Sequence, residues 1–195
     1  LEFRRVLFRS AFLGLGLSSE GNLAWATTFK WLHMLLVLGF AAYIPHSKHL
    51  HIIAAGPNTF LRQLTPEKGM RPINFADESI TQYGAAKVTD LSWKDTLDTY
   101  ACTECGRCQD LCPAWNTQKP LSPKHLVLDI KHNLYENKEK VLAGKLEELT
   151  PLVGKEISED VIWACTSCRA CEVACPVFIE HTDKIFDIRR NLVMM

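Results

Sequence analysis

Several features are missing from this sequence, and each absence narrows its chemistry. It carries no net charge, with 22 lysines and arginines against 22 aspartates and glutamates. That balance removes any bulk electrostatic case for nucleic-acid binding. No run reads as a β strand, so the polar part of the chain is expected to be mainly α-helical. There is no phosphate-binding loop and no nucleophile–base constellation, which excludes the usual hydrolytic and phosphoryl-transfer machinery. No cysteine lies outside two tight clusters. Scattered pairs would suggest disulfides, whereas clustered thiols read as metal ligands in a reducing compartment.

Charge is also missing locally. Residues 11–44 are nearly uncharged, while residues 60–195 are polar and charge-rich. Within the first stretch, Leu23 to Ile44 gives 22 positions with one charge, Lys30. That length suits a span of a hydrocarbon core roughly 30 Å thick at about 1.5 Å per residue. Trp25, Trp31 and a snorkelling Lys30 would sit near one interface. The competing reading is a buried helix of a soluble protein, because Trp31 to Ile44 is short. Pro45 marks an end or kink. Lys48, Arg62, Lys68 and Arg71 follow, and positive charge on that side predicts a cytoplasmic position for everything downstream.

Four segments are expected. Residues 1–10, LEFRRVLFRS, match the in-frame translation of a short-read sequencing adapter and are set apart from the fold; a native basic arm is the alternative. Residues 11–55 form the end of a membrane domain, with Ala11 to Leu17 closing a preceding helix. Residues 56–85 are a linker, marked by Pro57, Pro66, Gly69 and Pro72. Residues 86–195 are a helical domain. In it a short helix is predicted over Trp93 to Tyr100. A second starts at Ser122-Pro123, with serine at the cap and proline in the first turn. It runs to about Lys138, with Leu126, Ile130 and Leu134 on one face. Ser158 caps a third, with Ile157 and Ile162 placed as a hydrophobic staple. Asp183 to Val193 is a final amphipathic helix.

The chemistry sits in two copies of one motif. The first is Cys102-x2-Cys105-x2-Cys108-x3-Cys112-Pro113, and the second is Cys165-x2-Cys168-x2-Cys171-x3-Cys175-Pro176. This spacing is that of two-cluster ferredoxins. Three closely spaced thiolates wrap one corner of a [4Fe–4S] cube, and the fourth is turned away toward the other cluster. One cluster is therefore assigned Cys102, Cys105, Cys108 and Cys175, and the other Cys165, Cys168, Cys171 and Cys112. The alternative is a pair of zinc sites, which usually show two ligand pairs and a long spacer. Gly106 would allow close backbone approach to a cluster. Arg107 and Arg169 read first as solvated surface residues, with tuning of cluster charge as the second reading.

The motifs are separated by 52 residues, a much longer connector than small ferredoxins use. This resembles the α-helical ferredoxin fold of the iron–sulfur subunits of succinate dehydrogenase and heterodisulfide reductase. His33 lies in the apolar run and His51 follows 18 residues later, so one continuous helix would carry both on one face about 27 Å apart. Trp31-Leu32-His33-Met34-Leu35-Leu36-Val37-Leu38-Gly39 with Pro45-His46-Ser47-Lys48-His49-Leu50-His51 resembles the last haem-binding helix of the respiratory nitrate reductase gamma subunit. The resemblance implies that His33 and His51 each ligate a different b-type haem, while His46 and His49 are interfacial. The order of parts, with Arg71-Pro72-Ile73-Asn74-Phe75 and Lys119-Pro120-Leu121-Ser122-Pro123, resembles the membrane-bound heterodisulfide-reductase-related iron–sulfur proteins. These join a haem b membrane domain, a dicluster domain and CCG domains; no CCG motif occurs here. The family implies an electron relay between membrane quinone and a cytoplasmic partner, either an electron-transfer flavoprotein or a dithiol/disulfide. Two rival readings are an iron–sulfur subunit of a glycolate oxidase- or succinate dehydrogenase-type complex, and a zinc-stabilised, membrane-anchored interaction module.

Overall fold

A computed structural model describes residues 19–64, 70–73, 75–76 and 82–195. The expectations for residues 1–17 and for Pro66, Lys68, Gly69 and Asn74 lie outside the described residues. The chain divides into two compact units between His49 and Leu50.

The first unit is helix α1, Ser19–Tyr43. Its 25 residues would extend about 37 Å. Residues Glu20–His46 are long and apolar enough to cross a membrane, and none of that apolar window is buried within the chain. A core helix of a soluble domain would be covered by its own chain, and this one is not. Its two threonine hydroxyls are satisfied locally: Thr27 and Thr28 donate to the carbonyls of Leu23 and Ala24. Pro45 ends the α-helix. Ile44–His46 and Lys48–Leu50 are short 3-10 turns separated by a bend at Ser47. A single continuous helix through His33 and His51 is therefore not formed. His33 lies on α1, whereas His51 opens α2, His51–Phe60. The shared-face spacing inferred for an unbroken helix fails because proline supplies no N–H to continue it. His49 packs against Phe40 at 5.7 Å between ring centroids.

The second unit is mainly helical. Among the described residues it has no strand, only an isolated bridge between Val153 and Ile157. After α2 come α3 (Trp93–Ala101), α4 (Arg107–Asp110), α5 (Pro113–Asn116), α6 (Pro123–Leu142), α7 (Glu159–Trp163), α8 (Ala170–Ala174) and α9 (His181–Met194). Helix α3 begins in a reciprocal cap. The Ser92 hydroxyl accepts from the Asp95 N–H, and the Asp95 carboxylate accepts from the Ser92 N–H. Ser122 caps α6 through the His125 N–H, with Pro123 in the first turn as the sequence predicts. Ser158 precedes α7 but its side chain makes no capping bond. What anchors α7 is its staple: Ile157 and Ile162 are both buried in one core with Leu126, Ile130, Leu152, Ile185 and Ile188. Leu134 packs against the same core. The apolar stripes of α6 and α9 thus close on each other around the loops that follow α6.

A charged lattice lies beside this core. Lys184 is fully buried on α9 and sits 3.2 Å from Asp95, with Asp98 as its second carboxylate partner. Lys94 reaches Asp98 at 2.6 Å. Arg71 makes a two-pronged contact with Asp95, at 2.7 and 2.9 Å, and reaches Asp187 at 2.8 Å. Burial alone would lower the Lys184 pKa, but Asp98 and Asp95 hold it above the ordinary lysine value. Burial alone would raise both carboxylates, but Arg71 and Lys184 hold Asp95 down, and Lys184 and Lys94 hold Asp98 down.

Part of the segment expected as a linker is fastened by these contacts. Helix α2 packs on α3, and Asn58 is buried with its side-chain N–H donating to the Val177 carbonyl at 2.9 Å. The Gln63 N–H donates to Glu180, and the Arg62 guanidinium lies 4.1 Å above the Phe178 ring. Gly84 touches α9 so closely that an added Cβ would lie 2.2 Å from the Asp187 carbonyl oxygen, at a φ of +75°.

Lys184→Met leaves two buried carboxylates short of their cation, and the expected loss is roughly 3–5 kcal/mol in denaturant unfolding. Lys155→Ala, which breaks an exposed pair with Glu136, should leave the midpoint unmoved. The pH dependence follows from the same shifts. Asp95 and Asp98 titrate lower in the folded state than when unfolded, so their contribution is present above about pH 4 and is lost as pH falls through their depressed values. Lys184 titrates higher when folded, so its contribution is lost only as pH rises beyond about 10.5. Circular dichroism should show unfolding in acid, with Lys184→Met unfolding at higher pH than the wild type. A midpoint unchanged by Lys184→Met would contradict this role of the lattice.

Candidate metal centre

Each motif is a loop leading into a short helix. Cys102 ends α3, and the loop then turns through Glu104 at φ +57° and Gly106 at φ +85° into α4. Every position recurs 63 residues later. Ser167 has φ +56° and Arg169 φ +59° before α8. Both loops thus reverse twice through left-handed backbone at matching places, which curls three thiols inward. Glycine takes that conformation freely, whereas for Arg169 it costs roughly 1–2 kcal/mol. The first thiol of each loop meets a backbone N–H two residues on, Glu104 for Cys102 and Ser167 for Cys165.

Two cavities result. One is lined by Cys102, Cys105, Cys108 and Cys175, with Pro176, Lys124 and His181 in its wall. The other is lined by Cys165, Cys168, Cys171 and Cys112, with Pro113, Arg169 and Thr182 in its wall. They are alike in size, about 290 and 300 Å³ when the open space at the mouth is included. The two short helices α4 and α8 pack together, and each loop sends its fourth cysteine into the opposite cavity. Cys105 and Cys168 are exposed, while Cys102, Cys108, Cys112, Cys171 and Cys175 are buried.

The first turn of α9 serves both cavities: His181 lines the first, and Thr182 and Ile185 line the second. That turn is held by side chains from elsewhere. Asp98 accepts the Glu180 N–H at 3.0 Å, and Glu172 of α8 accepts both the N–H and the hydroxyl of Thr182. His181 is buried with Nδ1 3.0 Å from the Ile179 carbonyl, and burial first, then Lys184, lowers its pKa to about 4. Arg107 is exposed as expected. Arg169 is not: it is partly buried, 3.7 Å from Asp183 and 3.9 Å from Glu172. Sequence reading missed Lys124, His181 and the lattice beneath α9, because nothing in their local spacing ties them to the cysteines.

The donor set fits iron–sulfur clusters. Each cavity offers four soft thiols, the set suited to iron–sulfur or zinc, with a single carboxylate residue, Glu104, in the wall of the first. Burial, followed by neighbouring thiols, raises the Cys108 pKa to about 12, and burial likewise raises Cys102, Cys165, Cys171 and Cys175. Thiolates are therefore disfavoured in these walls without a cation, and a bound cation reverses that preference.

Comparison with known proteins places this architecture. Residues 98–179 match the 4Fe-4S dicluster domain family, which supports iron–sulfur clusters over zinc in these cavities. The chain as a whole is related to iron–sulfur oxidoreductases. It is similar to the probable iron-sulfur-binding oxidoreductase FadF of Bacillus subtilis, 38% identical over 91% of this chain and 30% of that protein. It is also similar to the EtfAB:quinone oxidoreductase of Syntrophomonas wolfei, 36% identical over 95% of this chain and 28% of that protein. One polypeptide of the dihydromethanophenazine:CoB–CoM heterodisulfide reductase of Methanosarcina acetivorans is 34% identical over 53% of this chain and 26% of that polypeptide. The chain thus spans about a third or less of these curated relatives. No solved structure matches it significantly. The expected kinship with heterodisulfide-reductase-related iron–sulfur proteins and the expected α-helical dicluster fold both hold.

Because the buried thiols hold their protons at neutral pH, metal loading must displace them. Titrating the apo chain anaerobically with cobalt(II), a spectroscopic probe of thiolate ligation, should release protons, and the apparent affinity should rise from pH 6 to pH 8. Affinity independent of pH over that range would mean the thiols are not the ligands.

Proposed function

We propose that this chain is the electron-relay segment of a membrane-bound iron–sulfur oxidoreductase. Cys102, Cys105, Cys108 and Cys175 hold one [4Fe–4S] cluster, and Cys165, Cys168, Cys171 and Cys112 hold the other. The observation that carries this reading is the pair of equal cavities, each lined by three thiols of one motif and the fourth of the other. When bound, the clusters supply one-electron redox chemistry. The protein's part is ligation, spacing and exclusion of water. The buried thiols shield the inner faces, while the exposed Cys105 and Cys168 mark the two places where electrons come nearest the surface. The packed α4 and α8 keep the two cavities adjacent, so that transfer between them needs no motion.

In this reading α1 is a transmembrane helix, and the dicluster domain lies on the cytoplasmic side, as the positive charges after Pro45 favour. Electrons pass between a cytoplasmic redox partner and membrane quinone. The kinship with an EtfAB:quinone oxidoreductase supports an electron-transfer flavoprotein and quinone as the two ends; the kinship with a heterodisulfide reductase supports a dithiol/disulfide. His33 and His51 are proposed as ligands of b-type haems in the longer protein. They belong to separate helices.

Two substitutions test the parts. Cys112→Ser should perturb the electron paramagnetic resonance signal of the cluster built on the second motif; a change confined to the cluster of the first motif would refute the crossed ligation. His33→Ala in the longer protein should remove one b-type haem in a pyridine haemochrome assay, and an unchanged haem content would contradict that assignment.

A further inference from the structure

The two motif loops are near copies, but they are not held alike. Arg189, on the inward side of α9, reaches under the second loop with its whole guanidinium. Its Nε and Nη2 donate to the Ile162 carbonyl at 3.1 and 2.7 Å, and Nη2 also donates to the Cys165 carbonyl at 2.6 Å. Nη1 lies 3.4 Å from the Ser167 hydroxyl. The face of the guanidinium stacks 5.0 Å above the Trp163 ring. Ile162 belongs to the last turn of α7, whose carbonyls have no partner within the helix. One side chain therefore ties the end of α7 to the first cysteine of the motif and to the residue in left-handed backbone between the first two cysteines. In the first motif, no side chain among the described residues donates to the matching carbonyl, that of Cys102.

The charge of Arg189 is equally distinctive. Two other arginines are paired with acids: Arg190 with Asp187 at 3.2 Å, and Arg169 with Asp183 and Glu172. Among the described residues, Arg189 has no carboxylate within ion-pair distance. Its partners are carbonyls, a hydroxyl and an indole face, all of which leave the positive charge in place. Burial raises the Cys165 thiol pKa, and Arg189 is among the groups that pull it back down. Arg189 donates to the carbonyl of Cys165, which lines the second cavity, where four thiolates and a cluster would together be anionic.

Building on the two-cluster reading, we propose that Arg189 is a positioning residue for the cluster of the second motif: it fixes the Cys165–Cys168 loop and raises that cluster's reduction potential relative to the same site without it. The sign follows from charge. Reduction adds an electron to an already anionic centre, and a fixed cation beside it favours the reduced form. The first motif has its own cations, Lys124 in its cavity wall and Lys131 near Cys102, so loss of Arg189 acts on the cluster of the second motif.

The test is a redox titration of the full chain with anaerobically reconstituted clusters, followed by electron paramagnetic resonance. The second-motif signal is identified beforehand as the one altered by Cys168→Ser. Arg189→Met should make reduction of that cluster at least tenfold less favourable, a midpoint lower by about 59 mV for one electron, with the first-motif cluster unmoved. Arg189→Lys keeps the charge and loses the fork; it should recover most of the midpoint, and it decides the matter if Arg189→Met fails to retain the second cluster. An unmoved midpoint in Arg189→Met, an equal shift in both clusters, or an Arg189→Lys midpoint as low as that of Arg189→Met would overturn the proposal. Failure of the wild-type chain to assemble two clusters would instead overturn the reading on which it rests.

Discussion

The exchange of fourth thiols governs this structure. Cys112 leaves its own motif to line the second cavity, and Cys175 leaves its own to line the first. Neither cavity is complete unless both loops meet, although 52 residues lie between the motifs. The apolar residues of that insert bring the loops together. Helix α6, started by Ser122 and Pro123, runs out to Leu142, and the chain returns so that Leu152, Ile157 and Ile162 pack back on Leu126 and Ile130. The return delivers Cys165 beside Cys112. The left-handed residues in each loop then set which way the thiols face.

The second constraint is electrostatic and lies under α9. The first turn of that helix borders both cavities, and it is unusually polar for a buried place: His181, Thr182, Asp183 and Lys184 are all buried. It is held there by Asp95 and Asp98 of α3, by Glu172 of α8, and by Arg71, which reaches Asp183 at 4.0 Å. A buried ion lattice is a weak source of net stability, since desolvation offsets much of its attraction. What it supplies is position. A hydrophobic contact would tolerate sliding of α9 along α3, whereas a lysine between two carboxylates has one arrangement that satisfies all three. The same lattice fastens Ala85 and Arg71 to α9, through the Ala85 N–H to the Asp187 carbonyl and the Arg190 guanidinium to the Arg71 carbonyl.

Much of this was legible in the sequence. The two cysteine motifs are local patterns, and their spacing alone implied the crossed pairing of loops. The α6 start, its Leu126–Ile130–Leu134 stripe and the staple of Ile157 and Ile162 are also local. The rest depends on contacts that spacing does not encode. Lys184 and Asp98 lie 86 residues apart, and each alone reads as a solvated surface charge. Arg169 reads as exposed, yet it occupies the place of Gly106 in the repeat and is partly buried between two acids. Pro57 suggested a linker, but α2 carries it and docks through Asn58. The histidine spacing suggested one helix, and Pro45 breaks it. In each case the local signal was real and a tertiary or backbone constraint outweighed it.

The two-cluster assembly is tested most directly by Mössbauer spectroscopy and iron analysis of the chain isolated anaerobically from cells grown on iron-57. Essentially all bound iron should appear as diamagnetic [4Fe–4S] centres, amounting to two clusters per chain. A colourless protein carrying zinc, or iron in mononuclear or single-cluster form, would contradict it.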